Sequence, residues 1–105
     1  MIQTTTNTIE GHPIREYHGI VTAQAIIGAN VFKDFAAGLR DFFGGRSRTY
    51  ENVLREAREA ALNELAQEAQ RTGGNAVVGV KLDYETVGST GSMLMVVATG
   101  TSVVI

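Results

Sequence analysis

The stretch Ala69-Gln70-Arg71-Thr72-Gly73-Gly74-Asn75-Ala76-Val77-Val78-Gly79-Val80-Lys81-Leu82-Asp83-Tyr84 changes its hydropathic rhythm at the glycine pair. Before the pair, apolar side chains return every three or four residues. After it, Val78, Val80, Leu82 and Tyr84 alternate with Gly79, Lys81, Asp83 and Glu85. A period near 3.6 lines up one stripe of a helix, and a period of two lines up one face of a strand. The segment therefore joins a helix to a half-buried strand, with Gly73-Gly74 supplying the left-handed stop that helices favour.

Upstream, Tyr50, Val53, Leu54, Ala57, Ala61, Leu65 and Ala69 form one apolar stripe, so the helix starts after a cap at Ser47 or Thr49 and runs to about Thr72. Its outer face carries opposite charges four apart in Glu51–Arg55 and Arg55–Glu59, and three apart in Glu68–Arg71. Each such pair contributes about 0.2–0.5 kcal/mol. A shorter helix is expected before it: Asn30 is its N-cap, Phe32, Phe35, Ala36, Leu39, Phe42 and Phe43 keep the helical spacing, and Gly44-Gly45 ends it. From Ile14 to Ile27 strand formers dominate, with Gly19 as the mark of a bulge. Met1 to His12-Pro13 reads as an edge strand or arm followed by a turn. Downstream, Gly88-Ser89-Thr90-Gly91 is a turn cluster, and Ser92 to Ile105 is a last strand opening with the apolar run from Met93 to Ala98. The expected fold is a single α+β domain over residues 1–105. It has a three-stranded antiparallel sheet, one long helix across one face and one shorter helix.

A long helix of about 24 residues spans about 36 Å, enough to cover one face of such a sheet and not two. Ile20 and Val21, and then Ala25, Ile26 and Ile27, put apolar groups on both faces of the first long strand, as Met93 to Ala98 does in the last. The uncovered face predicts more apolar surface than monomers expose, and hence a closed homo-oligomer. The competing reading is a compact monomer with the short helix tucked beneath the sheet. Composition narrows the partners further. Nine Lys and Arg against eleven Asp and Glu give a net charge of −2, which argues against nucleic acid and anionic membranes. The absence of cysteine removes disulfides, thiolate metal sites and thiol nucleophiles together. No apolar stretch approaches the roughly 18 residues of a membrane span, and Met1 to Gly11 does not have the pattern of an export signal. A cytoplasmic protein is expected.

Several pieces of the chain resemble the YbjQ family of small uncharacterised bacterial and archaeal proteins. They are Gly28-Ala29-Asn30-Val31-Phe32-Lys33-Asp34, Gly44-Gly45-Arg46-Ser47, Glu56-Ala57-Arg58-Glu59, Gly73 to Val80, and Gly100-Thr101-Ser102-Val103. The resemblance runs essentially the whole length. It implies a dodecin-like subunit, a pentameric ring, and a heavy-metal-binding label without an established mechanism. One departure bears on that label: where relatives often have Thr-Gly-Glu, this chain has Thr22-Ala23-Gln24, and a carboxylate is lost.

Candidate chemistry is sparse. A metal site needs three or four donors, and soft metals prefer sulfur. The chain offers His12, His18, Met93 and Met95, with Glu16 on the same strand face as His18. In a ring, one ligand per copy becomes several near the axis. The competing reading makes His18 a partly buried strand histidine bonded to a backbone carbonyl, and the methionines core filler. No metal ligand set and no cofactor are assigned. The ligand-binding candidate is Gly44, Gly45, Arg46 and Ser47, followed by Arg48. Glycines at a helix N-terminus expose N–H groups and guanidiniums add charged donors, which suits a phosphate or carboxylate. The same residues also serve as a plain junction, with two glycines ending one helix and Ser47 capping the next. The serines lie in no Gly-x-Ser-x-Gly elbow, and the carboxylate pairs Glu56/Glu59 and Glu64/Glu68 belong to a solvated helix face, so no catalytic residue is assigned and an enzyme is not expected. The expected function is a ring-forming binding or structural protein holding a small, anionic ligand between subunits. The alternative is heavy-metal binding around the oligomer axis.

Overall fold

The computed structural model describes residues 1–28, 48–88 and 93–105. The elements are β1 (Ile2–Gln3), β2 (Glu16–Ile27), α1 (Arg48–Arg71), β3 (Ala76–Val87) and β4 (Met93–Val104). The strands form one sheet in the order β1-β3-β4-β2. β4 is antiparallel to both β2 and β3, whereas β1 runs parallel to β3 through Ile2↔Ala76 and Gln3↔Val77.

This corrects the expected three-stranded antiparallel sheet with two helices: the sheet is four-stranded and mixed, and the described residues hold one helix. The fourth strand is two residues long and carries no side-chain rhythm. It is held by the main chain: Thr4 N–H donates to Val77 O, Val80 N–H to Thr4 O and Gly79 N–H to Thr6 O. The Gln3 amide also donates to Leu62 O of α1 at 2.8 Å. The arm thereby satisfies donors released where β3 slips register between Val78 and Lys81. The shorter helix expected from Asn30 to Phe43 lies outside the described residues.

The long helix matches its expected span. Ala57, Ala61, Leu65 and Ala69 are buried, and the last three are fully so. They pack on Val21, Ala23 and Ile27 of β2, Val77 of β3, and Leu94, Val96 and Ala98 of β4. Alanine in the stripe lets the helix axis approach the sheet closely, and Leu65 fills the space the alanines leave. On the outer face, Glu68 and Arg71 meet at 2.6 Å, as their spacing predicts.

The opposite face of the sheet is covered at one end. There Ile9, Ile14 and Ile105 pack on Ala76, Val78 and Val103. Farther along, the register sets Thr22, Thr99 and Lys81 in one row, Gln24, Val97 and Asp83 in the next, and Ile26, Met95 and Glu85 in a third. This face is more mixed than the apolar runs of the strands imply, since Lys81 and Asp83 meet on it, two residues apart along β3, at 3.5 Å.

Candidate functional site

Two of the five pieces singled out by the resemblance, Gly73 to Val80 and Gly100 to Val103, meet at the C-terminal end of α1. The helix stops because Gly73, at φ +91°, turns the chain left-handed. Gly73 N–H donates to Gln70 O and Gly74 N–H to Ala69 O, the paired bonds of a Schellman end. The hydroxyls of Thr72 and Ser102 lie 2.9 Å apart and reach Ala69 O at 2.8 and 3.3 Å. Ser102 is fully buried, so these bonds cover its desolvation. Gly74 is required by proximity: a Cβ there would stand 2.1 Å from Ser102 Oγ and 3.1 Å from Val103 O. Beyond it, Asn75 mimics a strand neighbour for the chain end, accepting from Ile105 N–H at 2.8 Å and donating to Ile105 O at 3.2 Å.

β2 closes the junction from the other side. Between Tyr17 and Gly19 its register against β4 shifts, with Gly19 at φ +94°, so the bulge expected at Gly19 is present. A bulge re-aims the side chain beside it. His18 is turned to the helix end, where Nδ1 meets Thr72 O at 2.5 Å and Nε2 meets Glu16 Oε2 at 2.9 Å. Thr72 is the last half-helical residue, and its carbonyl has no partner within the helix. His18 supplies one. The bond to Thr72 O, then the Glu16 carboxylate, raise the His18 pKa above the ordinary 6.5, against a smaller desolvation effect.

These contacts bear on the candidates from sequence. His18 is a strand histidine bonded to a backbone carbonyl, with Glu16 as its second partner. His12 sits on a separate turn, where its main-chain N–H donates to Ile9 O. Met93 and Met95 lie half-buried on β4, and Met95 faces Ile26 and Glu85 across the ladders. Gly44, Gly45, Arg46 and Ser47 lie outside the described residues, and α1 begins immediately after them at Arg48. The Thr72–Ser102 network had no signal in the sequence beyond the glycine pair and the Gly100 to Val103 piece that resembles relatives.

Fold and junction together define a small two-layer α+β protein in which one long helix lies on a mixed sheet and is clamped at its C-terminal end. A family model described as "Putative heavy-metal-binding" matches residues 1–105, and the chain belongs to that family, the YbjQ family. Among solved structures it is similar to a protein of unknown function from Pediococcus pentosaceus ATCC 25745, of the DUF74 family. The TM-score is 0.61 at 20% identity, covering 100% of this chain and 97% of that one. That likeness is one of fold.

The metal in the family description finds no fit in the described residues. No three His, Asp or Glu side chains converge among them, the chain has no cysteine, and both ring nitrogens of His18 are committed to other partners.

Proposed function

We propose that the protein is a ring-forming homo-oligomer that binds a small anionic ligand between its subunits, and that it is not an enzyme. The observation that carries this reading is the free rim of β2. Among the described residues no strand pairs with the outer edge of this 12-residue strand, and Tyr17, Ile20 and Ile26 are 71, 80 and 60% exposed. Long unpaired edges with apolar side chains are a liability that proteins cover. At the opposite rim β1 and the residues after it flank β3 as far as Val80, so β3 from Lys81 onward is also unflanked among the described residues. Two different open edges on opposite rims suit head-to-tail pairing, which gives a ring where the rotation between copies closes. A pentamer follows the resemblance. A cytoplasmic location belongs to the same reading. No helix among the described residues is long and apolar enough to cross a membrane.

For the ligand, the support is the junction Gly44-Gly45-Arg46-Ser47 leading directly into a 24-residue helix, whose N-terminus favours negative charge. Light scattering on the purified chain tests the assembly: a mass several times 11.2 kDa is expected, and a folded 11.2 kDa particle at micromolar concentration overturns it. Calorimetric titration with inorganic phosphate tests the anion. Binding that disappears in Arg46→Ala is expected, and heat unchanged by that substitution removes the site. Titration with zinc, copper and nickel addresses the family description, and saturable stoichiometric metal uptake would displace the anion reading.

A further inference from the structure

We propose that His18 is held as an imidazolium that fastens the C-terminal end of α1 to β2, and that losing its proton releases this end. The inference starts from the kinds of atom that face the ring. Thr72 O is a carbonyl oxygen and Glu16 Oε2 a carboxylate oxygen, and both only accept hydrogen bonds. Neutral imidazole has one N–H, so one of its nitrogens would turn a lone pair toward an oxygen. The imidazolium has two N–H groups and satisfies both. No other protonation state fits a ring held between two acceptors.

The surroundings favour the cation. Thr72 O belongs to the end of a 24-residue helix, where the aligned peptide dipoles leave negative charge. A Cβ on Gly73 would come within 3.1 Å of His18 Cε1 and 3.2 Å of Nδ1, so the ring lies directly against a glycine and no side chain intervenes. The charged groups of the neighbouring elements do not compete for it. On the last turn of α1, Glu68 and Arg71 bond each other at 2.6 Å. The facing part of β4, from Thr99 to Val104, carries no ionisable side chain, and neither does β3 from Ala76 to Val80. Arg15, on the same approach, donates to Ile105 O. Glu16 is therefore the one carboxylate among the described residues with a bond to the ring.

The ring is 24% exposed, so protons exchange with solvent freely while the bonds stay partly shielded. The raised pKa, caused first by Thr72 O and then by Glu16, agrees with this geometry. Its sign fixes the pH dependence. A histidine whose folded pKa lies above its unfolded value contributes stability fully below the unfolded value, near 6.5, and loses it as pH climbs through the folded one. The junction is thus tight in mild acid and loosens toward alkaline pH. Because Ser102 and Gly74 hold Ala69 O independently, the release is confined to the last turn and does not unfold the helix.

The test uses the full-length chain labelled with ¹⁵N. Long-range ¹H–¹⁵N correlation reads the protonation of each ring nitrogen, with His12→Gln assigning the two histidines. Amide exchange is followed in parallel at Thr72, Gly73 and Gly74. Both His18 nitrogens are expected to be protonated up to a midpoint above that of the urea-unfolded chain, and Glu16→Gln, at an exposed position, is expected to lower that midpoint. Above it, protection of the three amides is expected to fall several-fold while that of Leu65 is kept. A midpoint at or below the unfolded value overturns the imidazolium assignment. Protection unchanged as the ring loses its proton overturns the latch.

Discussion

At the scale of single residues, Gly74 is the described glycine with the least room, since an added methyl group would overlap the Ser102 hydroxyl bonded to the end of α1. Gly74→Ala is expected to cost about 1–3 kcal/mol, as overpacking in a close-packed interior does. Urea unfolding at fixed protein concentration measures it. Ser102→Ala removes the obstructing oxygen, so the double variant is expected to lose less than the sum of the two single losses. Gly19, held at φ +94° in the bulge, is constrained by conformation alone: nothing lies within 4 Å of its added Cβ. Gly19→Ala is expected to cost about 1–3 kcal/mol through backbone strain, read in the same unfolding experiment. Much of this was legible beforehand. The glycine pair announced a helix stop, Gly19 a bulge, and His18 a backbone partner. The identity of that partner was not, because Thr72 is 54 positions away and no local spacing encodes a contact of that range.

Among the elements, α1 was readable because its stripe is long and its period unambiguous, and the observed limits, Arg48–Arg71, follow from it. Among the described side chains of that stripe, Leu65 is the one large group with no exposure. Leu65→Ala is therefore expected to destabilise the fold by about 2–5 kcal/mol, the sum of lost transfer energy and a cavity between helix and sheet, checked by thermal melting. β1 was legible only as an arm. Its place in the sheet is fixed by main-chain bonds to Val77, Gly79 and Val80, and main-chain donors look alike in every sequence. The anion candidate at Gly44 to Ser47 was reached by composition and helix position alone. The contrast is physical: patterns that arise from side-chain burial can be read from a sequence, and patterns made by backbone pairing cannot.

For the molecule as a whole, the apolar runs of β2 and β4 pointed to a second greasy face, and the register shows that face to be part threonine, glutamine and paired charge. The most exposed large apolar side chains among the described residues, Tyr17, Ile20 and Ile26, all belong to the outer strand β2, and Ile20 and Ile26 stand in that same face. An outer strand with an unpaired edge and apolar side chains suits a contact that pairs the edge and covers this side of the face together. Replacing Ile20 and Ile26 together by lysine is accordingly expected to shift the mass measured by light scattering toward 11.2 kDa while leaving the circular dichroism of the subunit intact. Retention of the assembled mass would place the contact elsewhere.

The sheet order also constrains how the chain comes into being. β4 stands between β2 and β3, and neither of those long strands is bonded to the other. β2 and β3 are both synthesised before the strand that joins them, so the long ladders can form only once β4 has been added. Until then β2 lacks the neighbour that its ladder requires. The late-made residues Gly100 to Val103 act as a keystone, and shortening the chain before them would leave an arch without its centre.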